Sequence, residues 1–166
     1  ENLVGEENKG LAAMFIMMNA ARYAVGVQGI AVAERAFQQA LEYANERVQG
    51  APLTGGKAVS IAHHPDVQRM LVQMRALTEG SRALAYFAAG VNDKARHSAD
   101  ENARKRYQAL YEFLVPVVKG FSTEMSLEVT SLGVQVHGGM GFIEETGAAH
   151  HYRDSRILPI YEGTTA

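Results

Sequence analysis

From Leu11 to Arg47 the chain runs through roughly 37 residues without a proline, rich in Ala, Met, Gln and Glu. Apolar side chains return at Leu11, Phe15, Met18, Val25, Val32 and Ala36, the spacing of one helical face. An unbroken helix of that length would extend roughly 55 Å at ~1.5 Å per residue, longer than a compact domain usually holds, so it belongs in a bundle. Gly26 and Gly29 fall inside it. Each costs about 1 kcal/mol against Ala, which makes sense where another helix backbone or a ligand comes close. Arg22 shares the stripe of Met18, Val25 and Gly29. Its head either reaches an edge while its stem packs, or is held at a cleft to meet phosphate or carboxylate.

The remaining punctuation divides the chain into further helices. Gly50, Pro52, Gly55 and Gly56 mark a loop over Gln49–Ala62. Pro65 suits a first helical position and Asp66 suits the positive end of a helix dipole. Val67, Met70, Leu71, Met74, Leu77, Leu84 and Ala88 then carry an apolar stripe, which predicts a second helix from Pro65 to about Ala95. Lys94 to Arg106 is charged and almost without apolar side chains, as expected of a solvated connection or a helix end. A third long helix follows to near His137, with Leu110, Leu114, Val117, Phe121, Met125 and Leu132 inward and a local bend expected at Pro116. A short helical turn is predicted over Thr146 to Tyr152. The fold class is therefore all-α: an up-and-down antiparallel bundle of three long helices, a short fourth and an irregular tail, with no period-2 strand pattern and no internal repeat.

Composition removes several function classes. A formal net charge of -2 exerts no pull toward nucleic acid or an acidic membrane surface. No unbroken run approaches the ~18 apolar residues of a membrane span, and Glu1 to Gly10 is too polar for a signal peptide. The expectation is a soluble, cytoplasmic protein. The absence of Cys leaves no disulfide framework, thiolate nucleophile or Cys-based zinc site. Neither His63-His64 nor His150-His151 sits in a metal-binding frame, so no metal is expected. Ser122, Ser126 and Ser131 lack a nucleophile elbow. The chain starts at Glu1 and stops at Ala166, and both ends look cut from something longer.

Two stretches remain to carry chemistry. Val134-Gln135-Val136-His137-Gly138-Gly139-Met140-Gly141-Phe142 places three glycines in four residues at a helix end. One glycine would serve as a cap; three leave room for a ligand against bare peptide. No strand precedes them, which argues against a dinucleotide-binding fingerprint. The second stretch is Arg153-Asp154-Ser155-Arg156-Ile157-Leu158-Pro159-Ile160-Tyr161-Glu162-Gly163-Thr164-Thr165. Glu162 stands between Pro159 and Gly163, so a turn rather than a helix is expected there, with a carboxylate able to face a cleft and Thr hydroxyls and N–H groups beside it.

Tyr161-Glu162-Gly163-Thr164, preceded by Arg153-Asp154 and by Gln135-Val136-His137-Gly138-Gly139-Met140-Gly141-Phe142, resembles the C-terminal helical domain of the acyl-CoA dehydrogenase family. Asn19 to Arg22 with Gly29 resembles that domain's first helix, and Glu46-Arg47 with Gln49-Gly50 its end, so the resemblance covers the whole chain. It is nearest to the longer-chained branch that includes 3-methylthiopropionyl-CoA dehydrogenases. The resemblance implies an FAD-dependent oxidoreductase turning an acyl-CoA into its trans-2-enoyl-CoA, with Glu162 as the α-proton base. It implies Thr164 near FAD, Tyr161 and Arg22 at the acyl-CoA substrate, and Arg47, Gln135, Gly138 and Gly139 against the FAD of a neighbouring subunit in a homodimer or homotetramer. Electron-transfer flavoprotein, or a similar acceptor, is the implied electron partner.

The sequence departs from the family in places. Arg47-Val48-Gln49-Gly50 lacks the aromatic residue of the usual Arg-x-Gln-Phe-Gly, Asn19 stands where Asp is frequent, and Met140 where Asn or Tyr is. The N-terminal helical and middle β domains are absent, so residues 1–166 on their own are expected to be inactive, with Glu162 exposed. The competing expectation is a structural, oligomer-forming bundle without catalysis.

Overall fold

A computed structural model of the chain describes residues 3–164; Thr165 of the predicted Thr pair lies outside them. Three long helices dominate: α1 (Gly10–Glu46), α2 (Pro65–His97) and α3 (Glu101–His137). Two short ones follow, α4 (Gly139–Phe142) and α5 (Ala148–Ser155). Among the described residues there is no strand, only an antiparallel bridge between Val48 and Ser60 that closes the loop after α1. The all-α up-and-down bundle is as the sequence predicts.

Local chemistry explains the boundaries. Pro65 opens α2 with Asp66 in its first turn, where Arg69 Nε bonds the carboxylate at 2.8 Å. Of the two readings of the charged segment, a connection or a helix end, it is mainly two helix ends, because Asp100 caps α3 by accepting from Asn102 N–H at 3.0 Å. Lys105 then pairs with Glu101 at 2.9 Å one turn away, so its charges suit an exposed helix as well as a loop. Only residues 98–100 join the helices. α3 runs through Pro116 as one element.

Side-chain contacts give the helix directions. Tyr23 bonds the Ala85 carbonyl and Arg82 pairs with Glu34, so α1 and α2 are antiparallel. Gln73 bonds Glu128 and Lys94 lies over the Tyr107 ring, so α2 and α3 are antiparallel as well. α1 and α3 consequently run parallel, and they form the most extensive helix pair. Two small-residue positions set that seam. A Cβ on Gly26 would stand 2.9 Å from Val118 Cγ1, and one on Gly29 would stand 2.7 Å from the Ser122 carbonyl oxygen. This answers the alternative left open by the sequence in favour of a helix backbone.

So close an approach changes which face of α3 is buried. Val115, Val118, Ser122, Thr123, Ser126, Val129 and Thr130 face inward, whereas Leu110, Val117 and Phe121, expected inside, are exposed. Phe121 cannot fit where backbones nearly touch; Ser and Thr can. The hydroxyls of Thr123, Ser126 and Thr130 bond back to their own helix, as Thr123 to Lys119 O at 2.8 Å and Thr130 to Ser126 O at 2.7 Å, whereas Ser122 Oγ is buried without a partner. The predicted inward face holds at Leu114 and Met125, with Leu132 partly buried against the core, and fails at Leu110, Val117 and Phe121 for a packing reason.

At its N-terminal end α1 leaves Leu11, Phe15, Ile16 and Met17 exposed, against the expectation that Leu11 and Phe15 pack inward. α1 also contains an 18-residue window of mean hydropathy 1.3, only 11% of it buried. By length and composition the helix could cross a membrane, although Asn19 and Arg22 interrupt its apolar run.

Candidate functional site

Past α5 the chain coils through successive turns. Leu158 N–H donates to Ser155 O at 3.1 Å, and Ile160 and Tyr161 N–H both donate to Ile157 O, at 3.0 and 3.2 Å. Leu158 and Pro159 are buried and moor this segment, and Ser155 Oγ meets Thr130 Oγ1 of α3 at 3.0 Å. The backbone then reverses: Glu162 has φ +55° and Gly163 φ +98°. A non-glycine residue at positive φ is uncommon and must be held by its surroundings. This is the turn the sequence predicts at Glu162.

The holding groups are cations from two other helices. Arg22 of α1 donates from Nε to the Glu162 carbonyl at 3.2 Å. Lys119 of α3 donates from Nζ to the Pro159 carbonyl at 3.2 Å and also to the Gly163 carbonyl. The Tyr161 hydroxyl donates to Gln28 Oε1 of α1. Arg22, Pro116, Lys119, Gly120, Gly163 and Thr164 together line a cavity of 320 Å³. Glu162 is half-buried rather than exposed, and its N–H makes no backbone hydrogen bond among the described residues. A carboxylate with an unspent N–H of its own residue, beside a cation-lined cavity, can take a proton while its backbone donor meets an oxygen.

Arg22, Tyr161, Glu162 and Thr164 are thus brought together. Arg22 does both things the sequence left open: its half-buried side chain packs, and its guanidinium sits at a cleft. Lys119 and Gln28 went unmarked in the sequence. Lys119 carried a readable signal, a charge four residues after Val115 and three before Ser122, on the face that packs against α1. Burial depresses its pKa most, and the Arg22 charge depresses it further, while Glu124 pulls the other way.

The other predicted residues lie elsewhere. Arg47 is 25 positions from Arg22 along α1, roughly 37 Å at ~1.5 Å per residue. Arg47 and Gly138 line a second cavity, of 390 Å³, with Tyr43, Gln49, Gly50, His64 and His137 among its other walls. Gln135 is exposed and its carbonyl accepts from Gly138 N–H at 3.0 Å. At Gly138 and Gly139 an added Cβ would meet nothing within 4 Å. His137 stacks on Tyr43 with ring centroids 4.4 Å apart, and its Nδ1 lies 2.7 Å from Gly133 O. A carbonyl only accepts, so Nδ1 carries a proton, while Nε2 is buried within the chain without a partner. Open glycine backbone and an arginine suit a polar cofactor edge arriving from outside this chain. The residues present fit the adenine dinucleotide that the sequence implies at this end.

Comparisons with known proteins place the chain in a family. Residues 8–166 match the family model described as acyl-CoA dehydrogenase, C-terminal domain. The chain is 66% identical, over 99% of its length, to 3-methylmercaptopropionyl-CoA dehydrogenase of Ruegeria pomeroyi, covering 28% of that protein. It is 38% identical, again over 99% of its length, to broad-specificity linear acyl-CoA dehydrogenase FadE5 of Mycobacterium tuberculosis, covering 28% of it. The fold superposes with a TM-score of 0.84 on an acyl-CoA dehydrogenase complexed with FAD from Bacillus anthracis, at 32% identity, covering 99% of this chain and 28% of that one. The chain therefore spans under a third of the length of each of these relatives.

Proposed function

The chain belongs to the acyl-CoA dehydrogenase family, matching its C-terminal domain, and from that premise we propose that the protein it forms oxidises an acyl-CoA to the trans-2-enoyl-CoA with Glu162 as the base. The α-proton of a thioester is only weakly acidic, so its removal needs a positioned carboxylate and donors on the thioester oxygen. Glu162 takes that proton, and its own unspent backbone N–H donates to the oxygen as charge builds there. Tyr161 and Arg22 border the acyl-CoA. FAD, when bound, accepts the hydride that leaves the β-carbon. Thr164 faces the flavin of the same subunit, while Arg47, Gln135, Gly138 and Gly139 meet that of a neighbouring copy in a homodimer or homotetramer. The roughly 37 Å between the two groups of residues is more naturally served by two cofactors than by one. Electrons leave to electron-transfer flavoprotein or a similar acceptor, and the protein works in the cytoplasm.

One observation carries this reading: Glu162 is held at positive φ by cations from two helices, and those cations line a cavity with the next two residues, Gly163 and Thr164. The test mixes the full-length, flavin-loaded protein anaerobically with a panel of acyl-CoAs, headed by 3-methylmercaptopropionyl-CoA, while flavin absorbance is followed. Bleaching is expected with at least one thioester, and Glu162→Gln should slow it by about 10²–10⁴-fold. A Glu162→Gln protein that bleaches at the unsubstituted rate overturns the assignment.

A further inference from the structure

Lys119 is the costliest side chain at the tail and the one to which the reaction above gives no task. It is 3% exposed, and a lysine so buried is rare without a partner for its charge. Its partners are two neutral carbonyls, those of Pro159 and Gly163. The nearest cation, Arg22, opposes its charge, and Glu124 is the one acid that favours it. An apolar side chain would fill the same volume beside Val115 and Val118 more cheaply. What the ammonium does, and an apolar group could not, is bind the chain at two points that straddle Ile160, Tyr161 and Glu162. Between those points lies the left-handed turn at Glu162 and Gly163, a conformation that needs external restraint.

We infer that Lys119 is the positioning residue for the α-proton base: bonded to the carbonyls of Pro159 and Gly163, it fixes the turn that aims the Glu162 carboxylate. This rests on the reading of Glu162 given above. Arg22 shares the work through the Glu162 carbonyl, and both cations line the cavity. Lys119 differs in what it holds, since its two bonds go to the carbonyls on either side of the turn. Its loss should therefore lower the chemical rate by more than it weakens substrate binding, because a base displaced by ~1 Å can lose about 10²-fold.

The test uses the full-length, flavin-loaded protein with Lys119→Met, which keeps the length and removes the donors. Two measurements are made: amide hydrogen exchange of a peptide covering residues 159–164, and rapid-mixing flavin reduction by the best thioester. Exchange in that peptide should rise about 10-fold or more, as expected for losing hydrogen bonds to a charged group. The reduction rate per bound flavin should fall about 10–100-fold, a larger factor than any rise in the apparent substrate dissociation constant. Unchanged exchange, an unchanged rate per bound flavin, or a loss confined to thermal stability overturns the inference. If Lys119→Met does not fold, Lys119→Gln, which retains an amide donor in a similar volume, is read by the same two measurements with smaller shifts expected. Failure of the parent reading looks different: the unsubstituted protein itself then leaves its flavin oxidised with every thioester.

Discussion

At Gly26 and Gly29 a methyl group would collide with α3, whereas at Gly138 and Gly139 it would meet nothing within 4 Å. The same residue type serves opposite ends at the two places. Along the seam, the missing side chains are filled by backbone of the same molecule, and the space is spent inside the fold. At the far rim the missing side chains leave bare peptide beside Arg47. At the tail end the carbonyls are taken by Arg22 and Lys119, and those same cations leave a cavity beside them.

Substitutions can break or sharpen that contrast. Gly29→Ala should have the largest effect, since its Cβ would meet a main-chain oxygen at 2.7 Å and neither helix can yield alone. A loss of about 1–3 kcal/mol is expected from urea unfolding of the protein, in line with overpacked cores. Gly139→Ala should leave stability within about 0.5 kcal/mol, or raise it slightly, because the site is open. In the full-length protein it should nonetheless lower bound flavin, read as the ratio of flavin to protein absorbance. Equal destabilisation by the two substitutions would abolish the distinction between sealed and open glycines.

The smallest effect is expected on the α1–α2 side, neither sealed nor open, where Glu34 pairs with Arg82 at 2.5 Å. Hydrogen bonds from Arg82 first and Gln38 second hold the Glu34 carboxyl below its ordinary value of 4.5. The folded state therefore binds fewer protons than the unfolded state in that window. The pair's contribution is present above pH 4.5 and fades as pH falls through the lower folded value. Partial exposure limits it to under about 1 kcal/mol. Glu34→Gln should accordingly lower Tm slightly at pH 7 and hardly at all near pH 3.

The helices themselves were plain in the sequence because their signals are local. A proline at Pro65, the acid beside it and the unbroken stretch before Arg47 need no knowledge of the rest of the chain. The inward face of α3 was not plain, because it is decided by glycines some 90 positions earlier that bring two backbones together. Phe121 and Val117 look like core residues until that proximity is known. Glu162 could be singled out by its own neighbours, Pro159 and Gly163, but its grip on Arg22 joins positions 140 residues apart. Lys119 was hidden for the same reason: a charge on an apolar register is visible, whereas the carbonyls that justify it lie 40 and 44 residues onward. The motif at Gln135 to Phe142 was legible as unusual, and Arg47 joins Gly138 only through the cavity both line.

The parallel pairing of α1 with α3 also bears on how the chain finds its shape. Neighbouring helices in the order of the chain can zip together as hairpins, but the seam at Gly26 and Gly29 joins segments about 90 residues apart, with all of α2 between them. Bringing such distant segments together costs more loop entropy than closing either hairpin, so the hairpin contacts should form first. The seam then forms late, after the rate-limiting step. Gly29→Ala should therefore be felt mainly as faster unfolding, with the refolding rate little changed.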